Sequence, residues 1–133
     1  MSDTAPNIYP VLRYRDAPAA IAWLEKAFGF RCHAVHEGAN GTIAHAQMTL
    51  GAGMIMLGSA KDDPLARAGI GKQSVYVAVD EIDAHYSRAR SAGATVLRAL
   101  ADTDYGSREY SALDPEGHYW SFGTYWPKAA DKT

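Results

Sequence analysis

Arg108 and His45 are the side chains best suited to act on a small molecule in this chain. Arg108 opens a β-rich run, Arg108 to Leu113, and a guanidinium on the inner side of such a strand can grip a ligand carboxylate or phosphate through two parallel hydrogen bonds. The same charge can instead be neutralised by Asp102, Asp104 or Glu109, which would merely pin the hairpin. His45 begins another strand-like run and is suited to a general base or a ligand hydrogen-bond donor, unless a neighbour satisfies it. Tyr9, Tyr76, Tyr110 and Tyr119 can line a pocket for a flat or apolar guest, or fill it themselves. Met54 and Met56 are adaptable packing groups that suit either case. His33 and His36 differ by an odd step, so a strand would send them to opposite faces, the wrong arrangement for a metal pair. His85 falls on a helix and His118 beside a turn, and both are expected at the surface. Tyr105-Gly106-Ser107 marks a rim where Gly106 would let a ligand come close. No nucleophile elbow, phosphate loop, zinc spacing or nucleotide fingerprint is present.

These residues are held by elements whose boundaries are written in the chain. Ile8 to Tyr14 reads as a strand, with Pro10 suiting an edge or a strand start. Asp16 is placed to cap a helix that has Pro18 in its first turn, and Ala17, Ile21, Leu24 and Phe28 follow helical spacing up to a stop at Gly29. A strand over Phe30–Glu37 leads to Gly38-Ala39-Asn40-Gly41, where Asn-Gly is a strong hairpin signal. His45–Leu50 and Met54–Ser59, joined by Gly51-Ala52-Gly53, complete a β-α-β-β-β unit. Residues 60–72 are polar and interrupted by Pro64, Gly69 and Gly71, so a connection is expected there, with a short helical turn at Pro64–Ala68. Ser74–Val79 is the next strand. Asp80 is read as the cap of a helix reaching about Ala92, with Asp83 reaching back and Gly93 as the stop. Thr95–Leu100, Arg108–Leu113 and His118–Tyr125 follow as strands. Asp114-Pro115-Glu116-Gly117 has the residues of a type I turn in order.

The bulk properties narrow the choice of function. With 133 residues, 47% apolar and 21% charged, the chain has the make-up of a globular domain with a real core. A formal net charge of −2 gives no basic field, so no nucleic-acid partner is expected. Nothing approaches the roughly 18 apolar residues of a membrane span, and residues 1–7 are a polar tail without a signal core, so neither a membrane partner nor export is expected. Cys32 stands alone and has no internal disulfide partner, in keeping with a cytoplasmic protein.

Overlaying the halves places Tyr9 on Ser74, Gly29 on Gly93 and Met56 on Ser121, each a shift of 64 or 65 residues. His45 and Gln47 are laid on Arg108 and Tyr110 once the longer second turn is allowed for. Two copies of this length suggest a paired module. In this order of pieces, VLRYRDAPAAIAWLEKAFGF (11–30), HAQMTLGAGMIMLGS (45–59), VYVAVDEIDAHYSRARSAGA (75–94) and YGSREYSALDPEGHYWSFGTY (105–125), the chain resembles the vicinal oxygen chelate superfamily. That group includes glyoxalase I, bleomycin-resistance proteins and extradiol dioxygenases. The resemblance implies an α+β fold of two βαβββ modules whose curled mixed sheets surround a cavity. It divides a single domain into a first module over 8–59, a connection over 60–73 and a second module over 74–125.

Metal-dependent members of that superfamily take four His, Glu or Gln ligands from the first and last strands of each module. The matching places here are Tyr9, Met56, Ser74 and Ser121, a set that suits a hard divalent ion poorly. No metal or other cofactor is therefore expected. The parity of those places gathers Tyr9, Val11, Arg13, Met54, Met56, Ser74, Tyr76, Tyr119 and Ser121 on one sheet face. His45, Gln47 and Thr49 join them, with Arg108 and Tyr110 by the repeat. Ile8, Leu12, Ile55, Leu57, Val75, Val77, Val79, Trp120 and Phe122 take the other face, and so pack beneath the helices. We expect ligand contacts from Tyr9, Val11, Gln47, Met54, Met56, Ser74, Tyr76, Tyr105, Tyr110, Tyr119 and Ser121. The resulting function is metal-independent binding of an amphipathic or aromatic compound. The alternative is a lyase or isomerase acting on a small carbonyl substrate with His45 and Arg108, hampered by the lack of a carboxylate at the expected centre. A homodimer is expected, as is usual in the superfamily, with modules paired within one chain or exchanged between two.

Overall fold

The computed structural model describes residues 8–60 and 73–127. The N-terminal tail and the connection with its expected turn at 64–68 lie outside the described residues. The chain divides into two compact units between Gln73 and Ser74.

The first unit holds β1 (Val11–Tyr14), α1 (Ala17–Phe28), β2 (Arg31–Glu37), β3 (Ile43–Leu50) and β4 (Gly53–Ser59), with sheet order β1-β4-β3-β2. β1 runs parallel to β4, and the remaining neighbours are antiparallel. Helix α1 begins where Asp16 accepts a hydrogen bond from the Ala19 N–H at 3.1 Å, and ends at Gly29 in the left-handed region. Both caps were expected from residue type. The Asn40-Gly41 turn takes positive φ at both residues, 56° and 77°, as the tight hairpin requires. β1 starts at Val11, later than Ile8, yet the Pro10 carbonyl still accepts from Met56 N at 2.9 Å. Under α1 lie Leu12, Tyr14, Ala46, Met48, Ile55 and Leu57, each at most 4% exposed.

The second unit repeats the plan with β5 (Ser74–Ala78), α2 (Ile82–Ser91), β6 (Thr95–Asp102), β7 (Arg108–Leu113) and β8 (Tyr119–Gly123), ordered β5-β8-β7-β6. β5 is parallel to β8. Tyr110, Ala112, Trp120 and Phe122 are fully buried in this unit, and the Tyr110 ring stacks on Phe122 with centroids 5.1 Å apart. Helix α2 is capped differently from the expectation. Its N-cap is Glu81, without a side-chain cap bond, so neither Asp80 nor Asp83 closes the first turn. Asp83 instead reaches Arg108.

The Asp114 turn acts as a hub. The Gly117 N–H closes onto the Asp114 carbonyl at 2.9 Å. Asp114 Oδ1 accepts from the N–H groups of Glu116 and His118, both at 3.0 Å, and Oδ2 accepts from Trp120 Nε1 at 3.1 Å. His118 is thereby drawn inside, only 5% exposed, against the expectation that it lies at the surface. Among the described residues no helix is long and apolar enough to cross a membrane.

Candidate functional site

In each unit the helix covers one sheet face, and the other face carries the residues suited to a ligand. In the first unit Val11, Met56, Gln47 and Ala34 form one cross-strand row. Val11 is 46% exposed, while Gln47, Met54 and Met56 are half-buried, as is Tyr9 just before β1. His45 stacks against His36 across the β2–β3 pair at 5.9 Å between centroids. Its Nε2 lies 3.3 Å from the Gln47 amide nitrogen. With that amide donating, the ring nitrogen accepts, so the lone pair a general base would use is already engaged.

Gly58, one step along β4 from Leu57, is buried with little room above it: a side-chain carbon there would meet Arg13 Nη1 at 2.5 Å and the Ala44 carbonyl at 3.0 Å. The chain thus keeps a glycine where a guanidinium crosses the strand.

The second unit corrects the repeat alignment. Ser111 pairs with Ser121, and Tyr110 with Phe122. Gln47 pairs with Met56 in the first unit. Since Met56 matches Ser121, Gln47 matches Ser111, and His45 matches Glu109 rather than Arg108. One residue of slip along a strand exchanges its faces. Arg108 and Tyr110 therefore lie on the helix side. Tyr110 is fully buried, with its hydroxyl 2.6 Å from His85 Nδ1. Burial, with a smaller contribution from Tyr86, raises its pKa strongly, so the phenol stays protonated in its hydrogen bond with the imidazole. His85 is accordingly half-buried and bonded rather than a free surface group.

The Arg108 guanidinium bonds Asp83 at 3.1 Å and Asp102 at 3.2 Å. These two hydrogen bonds raise its pKa further. Its charge pins β7 to α2 and to the end of β6, the alternative weighed against ligand binding.

The uncovered face of the second unit has Glu109 at its centre. The carboxylate side chain is 7% exposed. Glu109 Oε1 accepts from the Tyr105 hydroxyl at 2.8 Å and from Arg98 Nη2 at 3.2 Å. Desolvation pulls its pKa upward, but hydrogen bonds from Tyr105, Ser107 and Arg98 outweigh that and leave it below the ordinary carboxylate value. The bond to Glu109 in turn is the first cause of a raised Tyr105 pKa. Tyr76 stands beside the carboxylate and donates to the Tyr125 carbonyl at 2.6 Å, and burial followed by the Glu109 charge raises its pKa.

Gly123 makes this arrangement possible: a side-chain carbon there would meet Glu109 Cγ at 2.6 Å and the Tyr76 hydroxyl at 2.7 Å. The loop from β6 to β7 folds over through Thr103, whose hydroxyl and N–H both bond Ser107, and Gly106 adopts φ 88° at its tip. Tyr105 (61% exposed), Tyr119 (43%) and Tyr76 (39%) leave ring surface in solvent, and Ser111 and Ser121 share a hydroxyl bond of 2.8 Å.

Sequence reasoning had Tyr76, Tyr105, Tyr119 and Ser121 in its ligand set and missed Glu109, which supplies the carboxylate thought lacking. The signal was present in the unmodified 64-residue shift, which lays Glu109 on His45.

The four places of the metal-binding pattern hold a phenol and a thioether in the first unit and two hydroxyls in the second. This donor set does not fit a divalent ion of that kind. Among the described residues no three His, Cys, Asp or Glu side chains gather into a group able to hold a metal.

The model of the Glyoxalase/Bleomycin resistance protein/Dioxygenase superfamily matches residues 8–122. Mb0911c of Mycobacterium bovis, described as an uncharacterized protein, is 32% identical over 126 residues, covering 89% of this chain and 82% of that protein. The structure of TioX from Micromonospora sp. ML1 aligns with a TM-score of 0.72 at 34% identity, covering 88% of this chain and 98% of that one. The fosfomycin resistance protein FosX of Mesorhizobium loti shares the fold, with a TM-score of 0.66 at 14% identity over 95% of each chain.

Proposed function

Because the chain belongs to the Glyoxalase/Bleomycin resistance protein/Dioxygenase superfamily, we propose that it is a metal-independent binding protein that sequesters a small amphipathic or aromatic compound. The observation that carries this reading is the unequal dress of the two sheet faces. Beneath the helices the large side chains are buried. On the uncovered faces Val11, Tyr76, Tyr105 and Tyr119 each leave more than a third of their surface in water. Small-molecule sites combine such apolar and aromatic surface with a few placed polar groups, here Gln47, Glu109 and the Ser111–Ser121 pair. The alternative of a lyase or isomerase acting through His45 and Arg108 loses support. Arg108 is tied to two aspartates on the helix side, and Glu109, held ionised by its donors, is a weak base.

A panel of natural products and drugs, screened by thermal shift and confirmed by calorimetry, tests the reading. At least one aromatic or amphipathic member is expected to raise the melting temperature and to lose affinity in Tyr76→Ala. No stabilisation by any member would overturn it, and so would a divalent ion retained in stoichiometric amount after dialysis against a weak chelator. We propose further that the protein works as a homodimer in the cytoplasm. Light scattering on a size-exclusion column should then give twice the 14.4 kDa chain mass, and a concentration-independent monomer would contradict it.

A further inference from the structure

Glu109 has a setting that a purely structural carboxylate does not need. It is almost fully buried on a sheet face that no helix of its unit covers, and the hydroxyl ends of Tyr105 and Tyr76 stand against it. Tyr105 touches it directly, Tyr76 lies against it over Gly123, and Tyr125 meets the Tyr105 ring edge-on at 6.5 Å. Among the described residues its one basic partner is Arg98, whose side chain is 52% exposed and bonds through a single nitrogen at 3.2 Å.

A carboxylate offers about four acceptor positions. Tyr105 and Arg98 occupy two, both on Oε1. The cost of desolvating the anion has already been met by the fold, and its counter-charge sits on a long chain half in water. Such a counter-ion can be exchanged for another cation without burying any new charge.

We propose that Glu109 is the specificity determinant of the ligand face, and that it selects aromatic compounds bearing a protonated amine or guanidine, with Arg98 as the resident cation that the ligand displaces. The inference rests on the small-molecule reading above and adds the chemical class. The ligand nitrogen takes the outer side of the carboxylate in place of Arg98 Nη2. The hydroxyl oxygens of Tyr105 and Tyr76 beside the carboxylate offer the same positive charge further acceptors. The ligand's own ring lies on the exposed tyrosine surface. An anionic ligand is repelled at this corner.

Three probes that share one ring skeleton separate the alternatives: 2-phenylethylamine, 2-phenylethanol and 3-phenylpropionate, titrated into the full-length protein and followed by amide chemical shifts. The amine is expected to bind about tenfold tighter than the alcohol, as a desolvated charge-assisted contact allows, with the largest shifts at Tyr105, Glu109 and Tyr125. Glu109→Gln, which keeps size and hydrogen bonding, should abolish that preference. Arg98→Gln, on an exposed side chain, should strengthen amine binding several-fold by removing the competitor, and leaves a test should Glu109→Gln fold poorly. Equal affinity for amine and alcohol, tighter binding of the propionate, or weaker amine binding in Arg98→Gln would overturn the assignment while leaving small-molecule binding intact. Failure of all three probes, together with the compound panel, would overturn both.

Discussion

Gly123→Ala offers a direct test of how tightly Glu109 is held. In a strand, replacing glycine by alanine ordinarily reduces the freedom of the unfolded chain and tends to stabilise. Here the added carbon would sit 2.6 Å from Glu109 Cγ, 3.1 Å from Glu109 Cδ and 2.7 Å from the Tyr76 hydroxyl. Carbon atoms in good contact lie about 3.5–4.0 Å apart, so Glu109 must withdraw by roughly 1 Å. Its bonds of 2.8 Å to Tyr105 and 3.2 Å to Arg98 cannot both survive that movement. Overpacking of this kind costs about 1–3 kcal/mol.

Gly123 has no positive φ, so backbone strain contributes nothing and the cost comes from the neighbours. In a Glu109→Ala background the remaining close atom is the far end of the Tyr76 side chain, which gives way by loosening its bond to the Tyr125 carbonyl. The penalty for Gly123→Ala should then fall below about 1 kcal/mol, a coupling of about 1 kcal/mol or more between contacting sites. Urea unfolding of the four proteins of the cycle, with unchanged slopes, measures it. Equal penalties in both backgrounds, within about 0.5 kcal/mol, would refute the close approach of Glu109 to β8.

Three further outcomes follow from the same geometry. Glu109 is held below its usual value of 4.5, so its ionised form contributes stability that is present above that pH and lost as pH falls through the lower folded value. Glu109→Gln should therefore flatten the acid limb of stability against pH, and identical acid limbs in urea titrations would count against the network. Asp114→Ala strands the His118 N–H and Trp120 Nε1 inside the second unit, for an expected loss of about 3 kcal/mol at roughly 1–3 kcal/mol per buried orphan; a loss under about 1 kcal/mol would show the hub to be dispensable. Asp16→Ala should cost about 1 kcal/mol in thermal melts and Glu81→Ala within about 0.5 kcal/mol of nothing, because the first side chain caps its helix and the second does not.

The elements were legible because each is announced by residues with few other uses. Asp16 with Gly29, Asn40-Gly41 and Asp114-Pro115-Glu116-Gly117 fix their helix, hairpin and turn by local chemistry, and the structure uses all three as read. The faces of β1, β4 and β8 were equally legible, since buried Leu12, Ile55, Leu57, Trp120 and Phe122 alternate with more exposed neighbours, whereas Ile8, expected beneath the helix, precedes β1 and is 82% exposed. β7 was not legible. Its run Glu109 to Ala112 is buried on both faces, so alternation gives no parity, and irregular pairing between Val96 and Ala101 hides how the hairpin is offset. One residue of error there moved Arg108 and Tyr110 onto the ligand face and Glu109 off it. Asp80 failed as a cap because residue type alone does not choose between adjacent positions, and His118 looked exposed because a place beside a turn does not reveal that Asp114 folds back to hold its N–H together with Trp120 Nε1.

The two units share a backbone plan, and the same position in each has been kept small. Gly58 lies beneath Arg13 in the first unit, and Gly123 beneath Glu109 and Tyr76 in the second. The scaffold therefore dictates where a polar head can cross the last strand and leaves its sign open. In the first unit that head is a guanidinium, with the His45–His36 pair on the neighbouring strands. In the second it is a carboxylate held among tyrosines. The β3 and β7 positions that correspond by pairing register, His45 and Glu109, differ in the same way, one an imidazole bonded by Gln47 and the other a carboxylate held ionised by its donors. A ligand that meets the second face meets negative charge whatever the first face offers. The discrimination between cationic and neutral guests thus resides in one glycine and the one side chain it makes room for.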